Sequence, residues 1–201
     1  MVIAVSCIEK EDEGRLAEIG VKDSKLLSAK ERERQLPQIM KTLKEYAFVM
    51  VEADEIDQLR DRQSLNEVEA MRIGGLLNSL VSKPEMVYVD SPDPVSSNFG
   101  RRIKKYLNFD TIIKSEHKAD MNYLIVGAAS VIAKVKRDAA IKELEKEFGK
   151  IGSGYPHDDE TITFLKNYLH QYNQLPRIAR KSWITTRRMV DGRLQRKLTN
   201  W

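Results

Sequence analysis

Two aspartates stand where carboxylates can do metal chemistry. Asp90 closes the run MVYVD; Val87, Tyr88 and Val89 favour a strand and Pro92 cannot continue one, so Asp90 falls at a strand's C-terminal end. In open sheets with helical connections, ligands and chemistry gather at that end. Asp120, thirty residues on, stands just before a long helical pattern. If strand end and helix start converge, the pair can hold Mg²⁺, which takes hard oxygen ligands and keeps part of its water. Two-metal phosphodiester hydrolysis uses such a cluster, one ion lowering the pKa of the attacking water and the other stabilising the leaving 3′ oxygen. Each acid also has a plainer role open to it, Asp90 as a turn former ahead of SPDPVSS and Asp120 as a helix N-cap. His117 has no His or Cys partner at ligand spacing, which points to hydrogen bonding near Asp120 rather than metal ligation, and His157 reads as surface.

The elements that must position these acids are legible from periodicity. Residues 2–9 and 47–53 read as strands, as do 86–90, and 111–114 is a fourth candidate. Ser28 with Glu31 and Ser64 with Glu67 are spaced as capping boxes that open two helices, the first containing Pro37, where a kink is expected. A long helix is predicted from about Asn122 to Phe148, with Leu124, Ala128, Val131, Ile132, Val135, Ala139, Leu144 and Phe148 on its buried stripe and Gly149 as its stop. Further helices are predicted over 159–172 and 184–198, and the acids at 9–13 read as a surface turn. Strands alternating with helices of this length predict an α/β protein, a mixed sheet flanked by helices over residues 1–150, with a small helical region over 151–201.

Composition bounds the rest. The chain has 201 residues, 41% of them hydrophobic, enough for an ordinary core. Its longest apolar run, Leu124 to Ala133, is well short of the roughly 20 residues that span a bilayer. One cysteine, Cys7, excludes an internal disulfide and a cysteine metal cluster, so a reducing, cytoplasmic setting is expected. The net charge of +4 is unevenly placed. Residues 177–201 carry eight basic side chains against the single acid Asp191, a basic tail on a mildly acidic body. That asymmetry suits a polyanion partner, although a solvated basic helix has the same composition.

The blocks GVKDSK with LLSAKERE, YVDSPD, HKAD followed by AASVIAKVKRD, and GSGYP, in this order, resemble ribonuclease HII, the type 2 ribonuclease H family, in its archaeal form. The resemblance implies a ribonuclease H-like fold. It also implies Mg²⁺- or Mn²⁺-dependent cleavage of RNA in RNA/DNA hybrids and at single ribonucleotides embedded in duplex DNA, leaving 5′-phosphate and 3′-hydroxyl ends, in replication and repair. Asp90 and Asp120 then match the third and fourth acids of the family's four-carboxylate metal site. Tyr155 matches the tyrosine that stacks on the sugar beside the scissile ribonucleotide, though a tight turn of Gly152, Gly154 and Pro156 would pack any aromatic. Asp23, Ser24 and Lys25 match a loop near the nucleic-acid backbone, and Ser130 and Lys134, one helical turn apart, would face the same site. Lys134 could equally be a surface lysine.

The departure is at the start. The family opens with a strand carrying Asp-Glu-Ala-Gly-Arg-Gly, whereas these residues begin at what matches the second strand. The expectation is a site with two of its four carboxylates and a sheet without its first strand. A start assigned at an internal Met, a trimmed chain or a degenerate homologue would each produce this, and the retained downstream acids and tyrosine favour the first two. A silent nucleic-acid-binding or clamp-docking protein is the alternative function. The ending QRKLTNW places Gln195, Leu198 and Trp201 three residues apart and resembles the clamp-interacting box at the C-termini of archaeal ribonuclease HII proteins, with one aromatic where many have two. Fold-back of Leu198 and Trp201 onto the protein's own surface is the plainer reading. A monomer that acts away from membranes is expected.

Overall fold

The structure is a computed structural model that describes residues 1–21 and 27–198. The chain divides into two compact units, one of Val2–Met50 with Ser64–Arg137, the other of Met1, Val51–Gln63 and Asp138–Trp201. The division falls inside the long helix rather than at residue 150, and residues 51–63 join the C-terminal unit. Among the described residues no helix is long and apolar enough to cross a membrane.

In the first unit, β1 (Val2–Cys7) pairs antiparallel with β2 (Glu45–Met50), and β3 (Met86–Asp90) pairs parallel with β4 (Ile112–Glu116). Both senses of pairing are present, but the described strands form two separate two-stranded ladders. The ladders share one core. Val5 of β1 and Val89 of β3 are buried with Ala70 and Leu77 of α4 (Leu65–Ser79) and with Phe99 and Ile103 of α5 (Ser96–Lys104). A second core joins Leu16 of α1 (Glu13–Ile19), Ile39 of α2 (Ala29–Thr42) and Ala128, Val131 and Ile132 of α7 (Leu124–Phe148), with Ala4 packed against it. Successive residues of β1, Ala4 and Val5, therefore enter different cores, the period of two expected of a strand covered on both faces. Burying side chains of this size contributes about 1.5–3 kcal/mol each.

Local signals explain most boundaries. Ser28 accepts the Glu31 amide while Glu31 accepts the Ser28 amide, a complete capping box, and α2 runs continuously across Pro37. At α4 only half the box forms, since Ser64 caps Glu67 but the Glu67 carboxylate is engaged elsewhere. The second strand begins two residues earlier than its sequence pattern and ends at Met50, because α3 (Ala53–Arg60) starts where the apolar run seemed to continue. The acids at 9–13 form a short 3-10 turn, Lys10–Asp12, leading into α1. The predicted long helix begins two residues later than expected, at Leu124: a four-residue turn, α6 (Ala119–Asn122), precedes α7, with Tyr123 extended between them (φ −125°, ψ 116°). Tyr123 is held there by its side chain, which stacks on Tyr88 (4.3 Å between ring centroids) and donates to Glu116 (2.9 Å). Gly149 ends α7 with φ 75° and donates to the Glu145 carbonyl, as expected.

The second unit holds α3, the C-terminal half of α7, α8 (Asp159–Tyr172) and α9 (Ile184–Leu198). Ile56, Ile151, Leu165, Leu169, Ala179 and Thr186 are buried in it. The Asp57 carboxylate accepts the Lys181 and Ser182 amides at 2.7 and 3.1 Å, tying α3 to the approach to α9.

Candidate active site

The end of β3 and the turn α6 do converge. The Asp90 carboxylate accepts the backbone N–H of Ala119 at 3.1 Å, the residue immediately before Asp120. Asp120 is therefore the second residue of α6 rather than the N-cap of the long helix; the cap position is Lys118, in the left-handed region (φ 56°, ψ 36°). Asp90 is exposed and Asp120 is buried. The strand extends one step beyond Asp90, where the Ser91 amide donates to the Glu116 carbonyl (2.9 Å), so the backbone on both sides of the acid is fixed. His117, beside this turn, is exposed.

The sequence did not single out what surrounds Asp90. Glu116 is its partner in the parallel register, and Tyr88 is likewise opposite Lys114. Register partners project to the same face, so Tyr88, Asp90, Lys114 and Glu116 share one side of the ladder. The Lys114 ammonium lies 5.1 Å from the Tyr123 ring centroid, 5.9 Å from that of Tyr88 and 3.3 Å from the Glu116 carboxylate. The Tyr123 hydroxyl, then Lys114, holds the Glu116 carboxyl below its usual range. Tyr123 and Glu116 push the Lys114 ammonium up. The period-two pattern was the available signal for this face, but it does not reveal which strand lies alongside.

Asp90 and Asp120 are hard oxygen donors of the kind Mg²⁺ and Mn²⁺ accept, and one or two protein carboxylates completed by water and phosphate oxygens suffice for Mg²⁺. No group of three or more His, Cys, Asp or Glu side chains is gathered for a metal among the described residues. The donor set fits a divalent ion completed by water and phosphate oxygens better than a closed protein cage.

Ser130 and Lys134 are half-buried on α7, about 9 and 15 Å along the helix from its first residue. Tyr155 belongs to the second unit and is 48% exposed. Its loop is built rather than loose. Gly152 and Gly154 have φ of 81° and 69°, and the Asp158 carboxylate takes the Ser153 amide (2.7 Å), the Thr161 hydroxyl (2.8 Å) and the Thr161 amide (3.3 Å). Those bonds, the Ser153 amide first, lower the Asp158 pKa to about 2. Asp23, Ser24, Lys25 and Trp201 lie outside the described residues; Gln195 and Leu198 lie in α9, with side chains that are likewise outside them.

A family model for ribonuclease HII matches residues 1–186. The chain belongs to the ribonuclease HII family. It is 42% identical over 191 residues to the ribonuclease HII of Thermococcus onnurineus, covering 95% of this chain and 83% of that one. The crystal structure of the ribonuclease H2 from Pyrococcus horikoshii superposes with a TM-score of 0.87 at 41% identity, over 95% of this chain and 90% of that one. Ribonuclease HII of Archaeoglobus fulgidus, solved as a complex with PCNA, superposes with a TM-score of 0.79 at 34% identity, over 90% and 84% of the two chains. The α/β architecture is thus that of ribonuclease HII, and the chain is of the ribonuclease class.

Proposed function

We propose that this protein is an endonuclease for the RNA strand of RNA/DNA hybrids and for single ribonucleotides embedded in duplex DNA. The observation that carries the reading is the hydrogen bond from the Ala119 amide to Asp90, which brings a strand-end carboxylate to the turn that holds Asp120. In this reading Asp90 and Asp120 hold Mg²⁺ or Mn²⁺, which when bound activates the attacking water and stabilises the leaving 3′ oxygen, giving 5′-phosphate and 3′-hydroxyl ends. Asp90 offers its charge at the surface, where phosphate can approach. Asp120, fixed in a short turn, supplies a carboxylate whose position does not depend on solvent. Tyr155, exposed on its glycine-rich loop, stacks on the sugar at the RNA-to-DNA junction. Basic side chains in 177–201 contact the backbone, and so do Lys25, Ser130 and Lys134.

Two carboxylates position one ion better than two, which favours a second reading, that these 201 residues alone bind nucleic acid without cleaving it. The test uses a labelled duplex carrying one ribonucleotide, with Mg²⁺ or Mn²⁺. The 201-residue chain is expected to cleave it orders of magnitude more slowly than a form with an Asp-Glu-Ala-Gly-Arg-Gly strand fused ahead of Met1. In the fused form Asp90→Asn or Asp120→Asn abolishes cleavage while hybrid binding persists, because lost metal charge harms the transition state more than distributed phosphate contacts. Cleavage at the parental rate by Asp120→Asn would reduce Asp120 to a structural residue, and no cleavage by any form would leave the binding reading.

We further propose that QRKLTNW docks into a replication sliding clamp. The Archaeoglobus relative's complex with PCNA supports this, as does the spacing of Gln195, Leu198 and Trp201, a glutamine, an aliphatic residue and an aromatic three residues apart.

A further inference from the structure

The turn that follows Asp90 is anchored by a charge network. Residues 91–94 alternate, with Ser91 and Asp93 buried and Pro92 and Pro94 exposed. The two prolines fix φ on either side of Asp93, so this loop is stiff. The Ser91 hydroxyl accepts the Asp93 amide (3.2 Å) and donates to the Ser96 carbonyl (3.2 Å). Asp93, only 4% exposed, takes hydrogen bonds from Asn66 Nδ2 (2.5 Å) and Arg102 Nε (2.9 Å). Arg102 Nη1 reaches Glu67 at 2.6 Å, the Tyr106 hydroxyl donates to Glu67 at 2.7 Å, and Lys105 stands 3.9 Å from it. The Asn66 bond and Arg102 hold Asp93 below the usual carboxylate range, and Tyr106 and Arg102 do the same for Glu67.

This arrangement is expensive by the ordinary criteria of stability. Buried ion pairs roughly break even against apolar side chains of equal volume, and their best-attested gain is a unique conformation. Glu67 also gives up the reciprocal contact that would complete its capping box with Ser64. What the network fixes is the path of the chain just beyond the strand end. Its anchor points are the first residues of α4 and the body of α5, and the segment between them and the ladder is 91–95.

We propose that Arg102, acting through Asp93, is the positioning residue for Asp90. By clamping the 91–95 turn onto α4 and α5 it keeps the last rungs of the strand in register. The Asp90 carboxylate then meets the Ala119 amide and stays beside the Asp120 turn. The catalytic value of this role rests on Asp90 being a metal ligand, but the geometric claim does not.

The test is residue-resolved amide exchange on the 201-residue chain without metal, which separates the two claims. Arg102→Met alone strands the buried Asp93 carboxylate and the partly buried Glu67 carboxylate and can unfold the unit, so the decisive variant is Asp93→Asn/Glu67→Gln/Arg102→Met, which removes the three central charges and leaves only the exposed Lys105 at the edge. Ala119 and Ser91 amides are expected to exchange at least about tenfold faster than in the parent, while Leu77 and Val131 amides in the two cores keep their rates. Arg102→Lys, which keeps the charge but loses the fork, should fall between. If Ala119 and Ser91 change only in proportion to the core amides, or not at all, the network is merely structural and the proposal is overturned. If the exchange result holds but Asp90→Asn in the fused form leaves cleavage intact, Arg102 still positions the strand end and the metal reading fails instead.

Discussion

Gly152→Ala is the sharpest perturbation that the structure offers. Gly152 has φ of 81°, and a Cβ built on it would lie 2.5 Å from Asp158 Oδ2, 2.7 Å from Glu160 Cβ and 2.9 Å from the Thr161 amide nitrogen. The left-handed conformation costs an alanine about 1–2 kcal/mol. Relieving three contacts, one of them with backbone, adds about 1–3 kcal/mol of overpacking. The expected loss is then about 2–5 kcal/mol, a fall in Tm of about 4–20 °C for a chain of this size. Relief must come from the Asp158 carboxylate, which withdraws from Ser153 and Thr161 and releases the loop that carries Tyr155. Binding of a single-ribonucleotide duplex, read by fluorescence anisotropy against the all-DNA duplex, should therefore lose its preference even at temperatures where the variant is folded. Gly14→Ala is the control, since a Cβ there meets nothing within 4 Å, and it should be neutral or stabilising by up to about 1 kcal/mol. A Gly152→Ala protein that melts within about 1 °C of the parent and discriminates equally well would refute the claim that Asp158 shapes the Tyr155 loop.

Three further outcomes are expected. Asp158, held to about 2 by the Ser153 and Thr161 bonds, should titrate near that value by carboxyl-carbon NMR; with a depressed folded pKa, its stabilisation is complete above about pH 4 and lost as pH falls through about 2. A midpoint near 4 would contradict the clamp. Gly74→Ala places a Cβ 2.6 Å from Tyr106 Cβ and should cost about 1–3 kcal/mol in urea unfolding, whereas Gly75→Ala, with open space around its Cβ, should not. A peptide of residues 190–201 should bind a sliding clamp with micromolar Kd, and Trp201→Ala should weaken it at least tenfold, about 1.4 kcal/mol; calorimetry showing no binding by peptide or whole chain would remove the clamp reading.

Where a signal was local, the sequence carried it to within a residue or two. The strand MVYVD, the box at Ser28, the stop at Gly149 and the helix over 159–172 all follow from side-chain preferences acting over one turn. Helices α1, α3 and α5 were not legible, since each is under ten residues long and gains its stability from packing, through Leu16, Ile56 and Phe99. The break before α7 escaped for a related reason. Nothing in KADMNYLIVG forbids a continuous helix, and the interruption exists because Tyr123 finds Tyr88 and Glu116, residues on two strands, at the cost of two helical dihedrals.

The same contrast governs the candidate site. Ser28/Glu31 and Ser64/Glu67 have one spacing and one chemistry, yet the first glutamate turns back to its own cap while the second turns to Arg102 and Tyr106. A capping contact at the surface contributes about 1 kcal/mol, and a half-buried guanidinium together with the Tyr106 hydroxyl outcompetes it. The redirected Glu67 is the visible trace of that competition, and it lies beneath the turn that follows Asp90. Sequence spacing could therefore single out the two acids as candidates, because the chemistry open to them is carried by residue type. It could not single out Asp93, Glu67 and Arg102, because these meet only when α4, α5 and the turn after β3 are brought together.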